Sequence, residues 1–257
     1  TGPGPPRHAA PPAPGLALDP GHAVKRFWDR AEPAEAEGRI GVLLDGRPLR
    51  LPGGAPLRLA SPALAHAIAE EWNAAGGGKG AAFSHDDVPL TRLAGTAEER
   101  IAPDPAPTIA ALAKYAETDL LCYRAEDRRL AARQAAEWDP LLDWCALAHD
   151  APLRVTAGVM PVAQPPQALS ALARAVGAHP PIELAALGVA VPALGSLVLG
   201  LALAGGRIDA VVAEAASTLD ERYQEEFWGL DAEAASRRAQ VAADVALAAR
   251  LLALSRG

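Results

Sequence analysis

RIGVLLDGRPLRLP, Arg39 to Pro52, decides how the first part of the chain folds. Asp45-Gly46 divides the stretch into two short apolar runs. Asp-Gly makes a strong two-residue hairpin turn, because both central positions of that turn take positive φ. The pattern predicts one strand on each side of it. KRFWD, Lys25 to Asp29, is expected as an earlier strand that pairs with the hairpin. Leu57 to Leu59 is expected to add a short piece.

Beyond the hairpin the signals turn helical. Ser61 is a helix cap, with Pro62 in the first helical position. Leu64, Ile68 and Trp72 recur every fourth residue and so share one face. Gly76 to Gly78 ends that helix, and a second is expected from about Pro89. From Thr108 onward the chain reads as helix throughout, with Ile109, Leu112, Ala116 and Leu120 on one stripe. Asp139-Pro140 should break or kink the next helix, with Asp139 as a new N-cap if it breaks. A helix ending near Gly177 and two apolar helices split at Pro192 follow. A long helix is expected from about Asp209 to Trp228, stopping at Gly229, and a last one from near Asp231 to the end.

Strands first and helices after is the α+β pattern. It predicts a small mixed α/β N-terminal domain with a β-hairpin sheet, then a larger all-helical C-terminal domain. The Pro-rich break APDPAP, Ala102 to Pro107, places the boundary. The expected domains are residues 23–104 and 105–257. Residues 1–22 begin TGPGPPRHAAPPAPG, too poor in apolar bulk to order themselves, and are expected as a disordered tail.

Bulk composition removes several function classes. The chain has 257 residues, half of them hydrophobic, and a net charge of −7. An acidic average with 4% aromatics is wrong for a nucleic-acid binder, which needs a basic surface or stacking platforms. Two cysteines, Cys122 and Cys145, cannot build a disulfide framework or a four-thiolate zinc site. They read as buried, reduced thiols. LAALGVAVPALGSLVLGLALAGG, residues 184–206, is uncharged and long enough to span a bilayer. Pro192, several glycines and the lack of an aromatic or basic belt favour buried helices, without stable membrane insertion.

No catalytic, cofactor-binding or metal-binding constellation emerges. AGGGKG, Ala75 to Gly80, lacks the Ser or Thr that a phosphate loop needs after its lysine. His85-Asp86-Asp87 reads as a solvated loop rather than a metal site. In EWDPLLDW, Glu137 to Trp144, Asp139 and Asp143 stand four residues apart and could share a helix face as acid and base. The plainer account has Trp138 packing and Asp139 capping, and we favour it. LDERYQEEFWGLD, Leu219 to Asp231, crowds Asp220, Glu221, Gln224, Glu225 and Asp231 around Tyr223 and Trp228. That is either a wet helix face or a protein-binding surface, since aromatics concentrate at interface cores. Sequence leaves both open.

The order of motifs carries further information. KRFW, LDGRPLRLP, IAEEW, PLTRLAGTA, TDLLCYRAE, EWDPLLDW, GSLVLGLAL and LDERYQEEFWG together resemble the ATP-twelve chaperone family, over about Ala23 to Leu254. The resemblance implies a non-enzymatic assembly factor. Such a protein binds the free alpha subunit of the F-type ATP synthase and keeps it from aggregating until the beta subunit replaces it. It implies no cofactor, and a monomer is expected. Without an Arg/Ser-rich transit segment the expected setting is a bacterial cytoplasm, or the mitochondrial matrix in a eukaryote. A small carboxylate-dependent hydrolase is the alternative. Partner contact is expected from Glu221, Tyr223, Gln224, Glu225, Trp228 and Asp231. Trp72, Asp119, Tyr123, Arg124, Trp138 and Asp139 are expected as a structural signature. In TDLLCYRAE, Asp119, Arg124 and Glu126 are expected to cluster where a helix ends.

Overall fold

The computed structural model describes residues 24–36, 38–158, 160–229 and 231–257. The expected tail over residues 1–22 lies outside them. The chain opens with β1 (Val24–Lys25), β2 (Ala31–Ala36), β3 (Arg39–Leu44) and β4 (Arg47–Pro48). β2, β3 and β4 form an antiparallel sheet in that order. Asp45 and Gly46 turn it with φ of 48° and 77°, as an Asp-Gly hairpin requires. Leu59 exchanges two backbone hydrogen bonds with Ile40, which adds the expected short piece to the sheet.

The expected pairing of KRFWD with the hairpin is not found. β1 pairs instead with β5 (Ala82–Phe83), and the hairpin's outer partner is β2, AEPAEA. Alternating Ala and Glu around Pro33 is a weak strand signal. Pro33 is tolerated because β2 is an edge strand with no further neighbour to receive an N–H.

α1 (Pro62–Ala74) is capped by the Ser61 hydroxyl, which accepts from the Leu64 N–H. Leu64, Ile68 and Trp72 are buried on its inner face. Arg26 closes its far end. The buried guanidinium donates to the carbonyls of Asn73 (2.8 Å) and Ala75 (3.0 Å), where the helix leaves acceptors unpaired. Asn73 fastens β2 by accepting from the Ala31 N–H and donating to its carbonyl, both at 2.8 Å.

α2 (Pro89–Thr96) runs into a π-helical turn, Ala97–Ile101, and residues 102–107 are exposed. α3 (Ala106–Ala113) passes through two 3₁₀ turns to β6 (Tyr123–Arg124). α4 (Arg128–His149) continues through Pro140 without a break, so Asp139 is not an N-cap. β7 (Thr156–Ala157) pairs in parallel with β6. α5 (Pro166–Gly177), α6 (Pro181–Leu194) and α7 (Leu197–Ala204) follow. The apolar pair divides at Gly195 (φ 64°) and Ser196, not at Pro192, which sits in the last turn of α6. Gly200 allows the two helices to touch: a Cβ there would lie 2.4 Å from a Val191 methyl carbon. Among the described residues no helix is long and apolar enough to cross a membrane.

The long helix expected up to Trp228 is two, α8 (Ala210–Ser217) and α9 (Leu219–Trp228), divided at Thr218. Its buried hydroxyl donates back to the Glu214 carbonyl (3.0 Å), the local bonding that lets Thr compete with helix continuation. α10 (Ala232–Arg256) begins at the Asp231 cap, lies along α6 and α8, and reaches α1. There the Ser61 hydroxyl donates to the Leu254 carbonyl. Sheet, α1 and the later helices thus share one continuous buried cluster. Cys122 and Cys145 lie inside it as free thiols. Burial, then the Asp119 carboxylate, pushes both up to about 12.

Candidate functional site

α9 is held from within by two residues one helical turn apart. Leu219 and Tyr223 are buried, Tyr223 at 9% exposure. The Tyr223 hydroxyl donates to Asp127 (3.1 Å), the residue that caps α4. Asp127 is held below the usual carboxylate range, first by the Leu130 N–H and then by this hydroxyl. From α4, Arg133 lies over the Tyr223 ring at 5.0 Å and grips Glu226 with two nitrogens, at 2.5 and 2.9 Å. A two-point guanidinium–carboxylate contact fixes orientation as well as distance. Gln134, buried one residue on, accepts from the Ala125 N–H and donates to Asp220 (both 2.7 Å).

The other flank of α9 faces α10. Arg237 pairs with Glu221 at 2.5 Å, and Arg238 pairs with Glu225. Gly229 (φ 82°) turns the chain between the helices, and Asp231 caps α10 by accepting from the Glu233 N–H at 3.1 Å. A groove of about 750 Å³ runs between the two helices, lined by Glu221, Gln224, Glu225, Trp228, Asp231 and Arg237 among others. Phe227 (56% exposed) and Trp228 (81% exposed) stand beside it, their rings 6.4 Å apart. The Tyr223 ring supports Phe227 from below at 5.0 Å. A second hollow of about 820 Å³ uses the same aromatic residues with Asp127, Arg128 and Arg129. The end of α9 is thus an aromatic prow set among fixed charges.

Of the six residues expected at a partner surface, Gln224, Trp228 and Asp231 are exposed. Glu221 and Glu225 are partly buried by their arginines, and Tyr223 faces inward. The arginines that shape the surface, Arg133, Arg237 and Arg238, were not picked out from sequence. For Arg237 and Arg238 the available signal was a basic pair inside the helix that follows the acidic one.

Of the expected signature residues, Arg124, Trp138 and Asp139 meet, while Trp72 and Asp119 each have other partners. Trp72 sits in an aromatic group with Trp28 (4.7 Å) and Phe83 (5.6 Å), and its indole N–H donates to Thr91 (2.8 Å). Asp119 is fully buried and accepts from the N–H of Leu121 (3.1 Å), the N–H of Val198 (3.0 Å) and the Ser196 hydroxyl (2.7 Å). Desolvation raises its pKa, and the hydrogen bonds from Val198, Ser196 and Leu121 oppose that effect without reversing it. Arg124 lies over Trp138 at 5.0 Å, donates to the Leu121 carbonyl and pairs with Asp139. Trp138 donates to the Ala216 carbonyl at 3.0 Å. Tyr123 is half-buried on β6. The expected Asp119–Arg124–Glu126 cluster does not form. The 3₁₀ turn after Asp119 sends its carboxylate to α7, while Arg124 turns to α4.

Asp139 and Asp143 are both exposed, and Asp139 is taken by Arg124. His85–Asp87 forms a 3₁₀ turn capped by Ser84, with Asp86 bound to Arg92. Among the described residues no three His, Cys, Asp or Glu side chains gather as metal ligands would.

Comparison with known proteins places this arrangement. The family model of the ATP12 chaperone protein matches residues 25–146. Atp12 from Paracoccus denitrificans is 45% identical, with a TM-score of 0.84 over 90% of this chain and 98% of that one. A point variant of that protein matches equally well. A candidate chaperone from Agrobacterium tumefaciens is 38% identical, with a TM-score of 0.82 over 90% of this chain and 85% of that one.

Proposed function

We propose, from the premise that this chain belongs to the ATP12 chaperone family, that it binds the free alpha subunit of the F-type ATP synthase through the α9–α10 surface. It keeps that subunit from aggregating and releases it to the beta subunit. The observation that carries the reading is the exposed Phe227–Trp228 pair, held beside an acidic groove by ion pairs to α4 and α10. Large exposed aromatics are costly to leave in water, and they supply binding energy when a partner covers them. A rim of fixed charges adds selectivity more than affinity, which suits a partner that must later be given up.

In this reading Trp228, Gln224 and Asp231 touch the alpha subunit, while Glu221, Tyr223 and Glu225 hold the surface in shape. The protein acts as a single copy. A bacterial setting is supported by the source organisms of the similar structures, and within it this reading places the protein in the cytoplasm. The carboxylate hydrolase gains no support, because Asp139 and Asp143 are both exposed and Asp139 is held in an ion pair.

Light scattering of dilute alpha subunit, with and without this protein, tests the reading. Scattering should stay low with the protein present, and added beta subunit should displace it. Trp228→Ala should lose most of the protection with its melting temperature unchanged, because the side chain is exposed. Undiminished protection by that variant removes α9 from the contact surface. Unchecked aggregation with the wild type removes the alpha subunit as client.

A further inference from the structure

The N-terminal part holds a further hollow, of about 380 Å³, lined in part by Trp72. Its apolar lining comes from Leu51, Trp72, Phe83 and Val88. These walls are rigid. Trp72 and Phe83 are locked to each other and to Trp28 with ring centroids 4.7 to 5.6 Å apart. Gly95 keeps the space open: a Cβ there would come within 3.0 Å of a Leu51 methyl carbon. The volume is near the lower end for ligand sites, roughly 300–1,000 Å³, which suits one or two side chains better than a nucleotide.

The rim is basic, although the chain as a whole carries a net charge of −7. Arg50, Arg92 and Arg100 line it, with His85 and one carboxylate, Glu99. Glu99 accepts from the Gly53 N–H (2.8 Å) and keeps its negative charge, while Arg92 is paired with Asp86 (2.9 Å). Arg50 donates to the Gly54 carbonyl at 2.6 Å, an interaction that leaves its charge unbalanced. Among the described residues neither Arg50 nor Arg100 has a carboxylate partner. Two guanidinium groups beside an aromatic-walled hollow match a group that is apolar at one end and anionic at the other.

We propose that this hollow receives an apolar side chain adjoining a carboxylate, presented by an extended segment of the polypeptide that the chaperone holds. The chaperone reading supplies the source of the segment; the chemistry comes from the hollow itself. It gives the protein a second contact point, distant in sequence from α9. Two weak contacts on one client reinforce each other while each remains separately releasable.

Short peptides test this apart from any client protein. The full chain, labelled with ¹⁵N at its tryptophan indoles, is titrated with acetyl-Leu-Glu-amide and with acetyl-Leu-Lys-amide. The Trp72 resonance, assigned with Trp72→Phe, should shift to saturation with the acidic peptide and stay still with the basic one. Arg50→Ala and Arg100→Ala should each weaken the acidic peptide about fivefold, the size of one exposed charge contact, with an unchanged circular dichroism spectrum. Equal responses to both peptides, or wild-type affinity in both folded variants, would overturn the proposal. So would indole-3-acetate binding as tightly as the peptide, which would make this a small-molecule site. Failure here leaves the scattering assay free to succeed, and the reverse holds too.

Discussion

Asp119 and Ser196 stand 77 positions apart, yet the Ser196 hydroxyl donates to the Asp119 carboxylate at 2.7 Å inside the core. Ser196 caps α7 through the Leu199 N–H, and Asp119 takes the Val198 N–H of the same helix. The backbone follows, with the Leu120 N–H donating to the Gly195 carbonyl at 3.1 Å. One carboxylate therefore closes a 3₁₀ turn and the start of an apolar helix together. This answers the chemistry-rich look of TDLLCYRAE: its acid is a brace between distant segments.

Asp119→Asn should destabilise the fold by about 1–3 kcal/mol, because the amide cannot accept at both positions and leaves a buried N–H unpaired. Denaturant unfolding measures it. A midpoint equal to wild type would mean that the Val198 N–H finds another acceptor.

Trp72→Ala should cost about 3–5 kcal/mol, since it opens a cavity against Trp28 and Phe83 and removes the indole N–H from which the Thr91 hydroxyl oxygen accepts. The thermal melt should fall by several degrees. An unchanged melting temperature would show that the aromatic group collapses to fill the space.

Glu221→Lys places a second cation against Arg237 and should loosen α9 from α10, lowering protection of the client. The exchange Glu221→Lys with Arg237→Glu restores the attraction. Recovered protection in the double variant assigns Glu221 to positioning. Continued loss in a well-folded double variant assigns it to direct contact.

His149 packs edge-on against Trp144 at 5.1 Å, and its buried Nε2 has no hydrogen-bond partner among the described residues. Burial, then nearby His179, holds its pKa below the ordinary 6.5. The unfolded chain therefore takes up this proton first as pH falls, so stability should decline from about pH 6.5 downward. His149→Phe keeps the ring and removes the titration. Melting temperatures measured from pH 7.5 to 5 should fall less steeply for the variant, and parallel slopes would sink the assignment. Glu183, held low by Arg256 and also bound by His179, acts in a separate window below its ordinary 4.5.

Local signals were readable wherever a residue acts on its own neighbours. Asp45-Gly46, Ser61-Pro62 and Asp231 each state a turn or a cap in two or three letters. Sequence failed where a distant partner decides. Pro140 reads as either a break or a kink, and the break is excluded only by burial: α4 runs through it because Trp138, Leu141 and Leu142 bury the surrounding turns. β2 exists because Asn73 and β3 hold it, not because Ala and Glu favour strands. At the surface the acids of α9 were legible as a run. Their sorting into paired supports and free edges was not, because it depends on Arg133, Arg237 and Arg238 from other helices.

Cys122 and Cys145 are fully buried, with thiols pushed up to about 12. The thiolate is the species that attacks alkylating reagents, so the folded protein should be nearly inert to iodoacetamide. Any labelling would then count openings of the interior beside the Asp119 brace. The chain carries a built-in clock for its own breathing, readable by mass alone, and a client that steadies the structure would slow it.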